Sequence, residues 1–196
     1  MKNNYQYDKK TFEKTDFKNN IVKNSIFEEC EFNNVDFSES TFINCKFTDC
    51  NFTESNLSLC TFTNSKFENI QFENCKIIGI NWTLLNWKNI ISSTPLSFKS
   101  CNLSYSSFMS LKLRNLSIIE CKIYEVDFSE SDLYGTDFTK SDLNASRFQN
   151  TSLENCNFSD SINYNINPCE NKIKGAKFSI PDVLNLLNPF KIHLNK

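Results

Sequence analysis

Large apolar side chains recur every fifth residue along almost the whole chain. From Phe12 the beat runs through Phe17, Val22, Phe27, Phe32, Phe37, Phe42, Phe47 and Phe52 to Trp82 and Trp87, and every beat position is apolar. It slips by one residue, resumes at Phe98 and continues through Leu103, Phe108 and Leu113 to Phe178, broken only at Asn163 and Pro168. Of 19 Phe, only Phe190 lies off the beat. A period of five matches neither the 3.6 of a helix nor the 2 of a strand, so either element would scatter these rings over all its faces. The chain must turn every five residues, as in an array whose units stack to bury a continuous core.

Two residues before each centre the chain is small: Ser25, Cys30, Ser40, Cys45, Cys50, Ser55, Cys60, Ser131, Ser141, Ser146, Cys156. Residues two apart share one face of an extended segment, so centre and small residue both point inward. Two residues after the centre come Asn19, Asn24, Asn34, Asn44, Asn64, Asn69, Asn74 and the three Gly of the chain, Gly79, Gly135 and Gly175. These types best tolerate the positive φ of a type II turn, which marks them as corners. Four five-residue sides close a square coil of about twenty residues. The pattern predicts an all-β fold, a quadrilateral β-helix of about eight coils and, at about 4.8 Å per coil, roughly 40 Å of rod. The expected division is a lead-in over 1–10, the β-helix over 11–180 with the slip at 88–97, and a helix and tail over 181–196.

The slip reads as one extra residue within 89–95, where Pro95 cannot donate to a strand ladder. A bulge or protruding loop is expected at Ser92, Ser93, Thr94 and Pro95, either a contact site or a plain repair between two halves. After Phe178, a helix is expected with Ser179 as N-cap and Pro181 in its first turn. Val183, Leu184, Leu186, Leu187 and Phe190 give it more apolar surface than a cap for the last coil needs. A symmetric dimer through this end follows as an expectation.

Composition narrows the function. With 196 residues and no long apolar run, the chain shows neither signal peptide nor membrane span, and the cytoplasm is the expected address. Of nine Cys, all but Cys169 occupy the small inward position, where a thiol behaves as a compact hydrophobe; Cys30 with Cys50 and Cys101 with Cys121 are expected to stack yet stay reduced. The single His, His193, stands near the chain's end, so no His-based triad or metal cluster can be assembled, and there is no glycine-rich phosphate loop. No cofactor and no enzyme activity are expected. Folding at twenty stacks Thr63 on Thr83, but Ile43 precedes and Ser104 follows in that column, too ragged for a hydroxyl-lined ice- or carbohydrate-binding face.

Charge varies along the axis. The formal net charge is −2, yet Glu28, Glu29, Glu31, Asp36, Glu39, Asp49 and Glu54 outweigh Lys46 for a local −6. In a second band, Glu120, Glu125, Asp127, Glu130, Asp132, Asp137 and Asp142 outweigh Lys122 and Lys140 for −5. Between them Lys76, Lys88, Lys99, Lys112 and Arg114 form a basic belt. Bands of fixed charge on a rigid rod are either ordinary solvated faces or a surface that meets a charged partner.

These repeats resemble the pentapeptide repeat family, whose members fold as right-handed quadrilateral β-helices. The runs Ser25–Phe47, Cys101–Phe108 and Lys172–Phe178, the last followed by a helix, are similar to the quinolone-resistance proteins of the Qnr type. That resemblance implies a dimer joined at its C-terminal end that mimics bent DNA, binds DNA gyrase and topoisomerase IV and protects them from fluoroquinolones, with no direct contact to nucleic acid. Its docking surface would be the acidic bands: Glu28, Glu29, Glu31, Asp36, Glu39, Asp127, Glu130, Asp132, Asp137 and Asp142. Cys45–Phe52 runs straight through where many Qnr proteins carry a first loop. A scaffold for another protein partner, using the basic belt or the Pro95 loop, is the alternative reading.

Overall fold

The computed structural model describes residues 1–88 and 96–192. The expected loop at Ser92, Ser93, Thr94 and Pro95, and the terminal His193 and Leu194, lie outside the described residues. The fold is a four-sided β-solenoid of about eight turns. Parallel three-residue strands stack twenty residues apart, as in Gln6–Asp8 on Ile26–Glu28 and Ile21–Lys23 on Thr41–Ile43. The sides are named here by one centre each: the Phe27, Phe32, Phe37 and Phe42 sides. Beyond Lys99 most rungs are single parallel bridges, such as Asn102 to Lys122 and Asp127 to Arg147, and the twenty-residue register persists.

The corners are made as the residue types suggest. Most residues two after a centre hold φ between 46° and 74°, from Lys14 at one extreme to Gly175 at the other; Leu84, in the 3-10 turn Trp82–Leu84, and Asn165 and Glu170, after the broken centres, do not. Many corners close with the bond of a type II turn, such as Ser40 N–H to the Phe37 carbonyl at 3.0 Å and Ser141 N–H to Phe138 at 3.0 Å. Asn is favoured there for a second reason. Along one edge Asn24, Asn44, Asn64 and Asn86 each donate a side-chain N–H to the Asn below, at 2.9, 3.2, 2.8 and 3.0 Å, forming a ladder that starts at Asn4.

The interior is a stack of rings. Phe12, Phe32, Phe52, Phe72 and Phe98 lie nearly parallel with centroids 5.1, 4.5, 5.0 and 5.1 Å apart. Neighbouring columns meet edge to face, as Phe27 and Phe32 do at 63°. The first coil begins before Thr11, inside the expected lead-in: Tyr7 is also on the beat, and its ring stacks on Phe27 at 5.0 Å.

The small inward residue has a polar task that the sequence reading missed. The Ser40 hydroxyl donates to the Phe17 carbonyl at 2.6 Å, Ser55 to Phe32 at 2.9 Å, and Ser131 to Phe108 at 2.7 Å. Thiols do the same, Cys60 to Phe37 at 2.9 Å and Cys156 to Leu133 at 3.0 Å. Cys at this position is therefore a donor as well as a small hydrophobe. All nine thiols are free and eight are buried. Burial pushes Cys50, Cys60 and Cys156 up to about 12.

Three features depart from the simple repeat. The coil at the slip pairs Phe72 with Phe98 and Lys76 with Asn102, 26 residues on, so it is six residues longer than its neighbours. A count at period five registers only one of those six, because the other five restore the phase. As a result Thr83 lies level with Met109, since Asn81 bridges Ser107, and Ser104 belongs to another side. Secondly, at the broken centre Asn163 the next residue turns in: Tyr164 is buried between Phe158 and Phe178, with centroids 5.9 and 5.4 Å away. Phe158 still stacks on Phe178, so the coil keeps its length.

Thirdly, the C-terminal helix is a 3-10 helix, Asp182–Phe190, with Pro181 at its N-cap and no side-chain cap. Ser179 does not cap it. Its hydroxyl instead accepts the Asp160 N–H at 3.0 Å, and its carbonyl accepts the Val183 N–H. Val183, Leu186 and Leu187 are half-buried, whereas Leu184 and Phe190 remain 47% and 49% exposed.

Replacing Phe47, which is buried between Phe27 and Phe67, by Ala is expected to cost about 3–5 kcal/mol in urea unfolding, because stacked rigid coils cannot collapse around the void. In native protein at pH 8 a thiol-reactive disulfide reagent is expected to titrate one thiol, Cys169, at once and the other eight only after denaturant is added.

Candidate functional site

The acidic residues expected to form a docking surface do not gather in one place. Glu28 and Asp132 flank centres of the Phe27 side, Glu31 and Asp137 of the Phe32 side, Asp36 and Asp142 of the Phe37 side, and Asp127 of the Phe42 side. Glu29, Glu39 and Glu130 stand on corners with positive φ. The two bands are belts around the rod. Their carboxylates are spread over all four faces.

Half of them also build the coil. Asp36, Asp127, Asp132, Asp137 and Asp142 stand immediately before a centre, and each accepts the main-chain N–H two residues on, from Ser38 at 2.8 Å, Ser129 at 3.0 Å, Tyr134 at 3.3 Å, Thr139 at 2.9 Å and Asn144 at 3.3 Å. This is the Asx turn that Asp and Asn favour, and Asn56, Asn81, Asn102 and Asn157 do the same at equivalent positions. Burial works against ionisation of Asp127, but hydrogen bonds from Ser129 and the nearby Arg147 guanidinium outweigh it and hold the carboxyl below its ordinary value. For Asp36, burial is likewise outweighed, here by hydrogen bonds from Ser38 and by Lys18. The signal was present in the sequence, since Asp and Asn exchange freely at this one position.

Belts on adjacent coils also neutralise one another. Lys9 pairs with Glu29 at 3.6 Å, Lys18 with Glu39 at 3.4 Å, Arg147 with Asp127 at 2.9 Å and Arg114 with Asp132 at 2.7 Å. All are solvent-exposed contacts of the kind worth under about 1 kcal/mol each. They leave Glu28, Glu31, Glu130, Asp137 and Asp142 without a basic partner among the described residues. Glu130 accepts the Ser110 hydroxyl at 2.8 Å, and Asp142 accepts the Tyr124 hydroxyl at 2.9 Å.

The basic belt is split over three sides. Lys99 pairs with Glu73 at 2.9 Å on the Phe32 side, Lys76 lies on the Phe37 side, and Lys88, Lys112 and Arg114 lie on the Phe27 side. Among the described residues no cluster of His, Cys, Asp or Glu is arranged to hold a metal ion, and no helix is long and apolar enough to cross a membrane.

The architecture is thus a filled solenoid whose outward side chains form its working surface. The chain belongs to the pentapeptide repeat family: the sequence model of the pentapeptide repeat region matches residues 3–70, 25–91 and 92–178. Among solved structures the chain is similar to full-length QnrB1, a plasmid-mediated fluoroquinolone resistance protein, at 20% identity and a TM-score of 0.54, covering 95% of this chain and 100% of that one. HetL, a pentapeptide repeat protein involved in heterocyst differentiation regulation in the cyanobacterium Nostoc, matches at 11% identity and a TM-score of 0.41 over 92% of this chain and 91% of that one. No curated protein matches the sequence.

Proposed function

We propose that this protein is a Qnr-like, DNA-mimicking binder of a cytoplasmic type II topoisomerase, DNA gyrase or topoisomerase IV, and that its occupancy protects the enzyme from fluoroquinolones. The observation that carries the reading is the end-to-end correspondence in fold with QnrB1, together with two belts of outward carboxylates on a rigid rod. Of these, Glu28, Glu31, Glu130, Asp137 and Asp142 are the groups free to meet a basic surface, because no cation of the chain is paired with them among the described residues. The action needs no catalytic group. It needs only a stiff array of charge that does not rearrange when a partner binds.

The exposed Leu184 and Phe190 support a homodimer through the C-terminal helix. Half-buried Val183, Leu186 and Leu187 hold that helix on the last coil, so two rods meeting there would cover the remaining apolar side chains. A specific observation favours the second reading, a scaffold for another protein partner: the net charge is only −2, far from the dense charge of a duplex, and intramolecular ion pairs engage several of the acids.

Titrated into a gyrase supercoiling reaction containing ciprofloxacin, the protein is expected to restore supercoiling. The Glu28→Lys/Glu31→Lys/Glu130→Lys variant is expected to need at least about tenfold more protein, since each reversal places like charge against the partner. Absence of rescue at every concentration would leave the scaffold reading. By sedimentation the protein is expected to be a dimer and the Leu184→Glu/Phe190→Glu variant a monomer with an unchanged circular dichroism spectrum; a monomeric parent overturns the C-terminal interface.

A further inference from the structure

The middle of the Phe27 side carries a row of cations that the acidic-belt reading does not use. Lys66 opens the strand Lys66–Glu68, which continues the sheet of Ile26–Glu28 and Lys46–Thr48. The Asn86 N–H bonds the Ser65 carbonyl at 2.8 Å, which carries the same side onward to Lys88. In the next coil Ser107 bridges Asn81 and Ser117 pairs with Ser97, so Lys112 and Arg114, midway between, face the same way. Three successive coils therefore present Lys66, Lys88 and Lys112 on one flat side, about 10 Å from first to last along the axis.

These three lysines make no ion pair among the described residues. The anions of the same stretch are engaged elsewhere: Glu68 lies 3.0 Å from the Lys46 ammonium, and Asp132 lies 2.7 Å from the Arg114 guanidinium, which also sits over the Tyr134 ring at 5.5 Å. The row is thus a local excess of positive charge on a chain whose net charge is negative.

The rest of this side identifies the class of partner. Between Lys46 and Arg114 its outward residues are Thr48, Glu68 and Asn86 beside the cations, and its centre Trp87 is half-buried with its indole N–H donating to the Trp82 carbonyl at 2.9 Å. Between Lys46 and Arg114 no large apolar side chain is exposed on it among the described residues; Ile26 and Tyr134 are exposed only beyond that stretch, and Leu84 lies on the adjoining corner. A protein partner needs a desolvated apolar or aromatic anchor at the centre of its footprint, which this surface lacks. A phosphate backbone needs cations and hydrogen-bond donors on a polar surface, which this one supplies.

We infer that Lys66, Lys88 and Lys112 on the Phe27 side form a contact for the phosphate backbone of nucleic acid, sequence-independent and separate from the acidic belts. This goes beyond the topoisomerase reading and departs from the expectation of no direct nucleic-acid contact. The test uses the full chain and a fluorescent 20-base-pair DNA duplex, with no topoisomerase present, so its result is independent of that reading. Anisotropy is expected to show weak binding at 50 mM salt that falls about 40-fold by 200 mM, the dependence of three neutralised phosphates. The Lys66→Gln/Lys88→Gln/Lys112→Gln variant should lose it, and a Lys10→Gln/Lys14→Gln/Lys23→Gln control should retain it. The inference is overturned if the parent does not bind duplex at 50 mM salt, if the first variant binds as well as the parent, or if polyglutamate binds the parent while DNA does not.

Discussion

Nearly every fifth residue of the coil is held at a positive φ, and the architecture depends on that one backbone requirement. Without the left-handed residue the segment around each centre would continue as an ordinary strand, and Phe32 could not stand at right angles to Phe27. The strain is distributed: Lys, Glu, Leu and Tyr occupy corners as well as Asn and Gly, each at some cost relative to Gly. Stacking offsets it, since most corner N–H groups find a carbonyl on the next coil, commonly nineteen residues on, as Asn34 does with Thr53 and Asn44 with Thr63. Gly79, by contrast, has the Leu59 side chain lying where a Cβ would be, at 2.8 Å, so there the neighbour as well as the backbone asks for glycine.

The second requirement is polar. A turn at each corner leaves the centre's carbonyl pointing along the rod, and the Ser, Thr or Cys of the coil above answers it. This explains why the interior tolerates so many hydroxyls and thiols: Ser40, Ser55, Cys60, Ser141 and Cys156 are interchangeable because each is small and each donates. The deep burial of those thiols and their engagement with carbonyls leave them little nucleophilic character.

The fold was legible because its determinants are local and repeated, so each of the beat, the small inward residue and the corner could be read many times over. What was not legible is informative. Six inserted residues read as one because periodicity reports phase and not length. Asp36, Asp127, Asp132, Asp137 and Asp142 read as a charged surface because a carboxylate that completes a turn and one that awaits a partner are the same letter; only position relative to the centre separates them. The row Lys66, Lys88 and Lys112 was hidden because it depends on the true 26-residue register, under which Lys112 aligns with Asn86, and Arg114 with Lys88. At the C-terminal end the apolar residues were found, but the 3-10 geometry and the unused Ser179 cap follow from how the segment lies on the last coil.

The long coil shows that neighbouring turns recognise one another through their sides and not through their count. Phe98 settles on Phe72, and Phe108 on Trp82, as if the intervening chain were of ordinary length. The junction between Lys88 and Leu96 is therefore a place where residues can be added or removed with the ring columns left undisturbed. A lineage built on this rod could vary what it displays at that edge while inheriting the same interior, and so change partners faster than it changes shape.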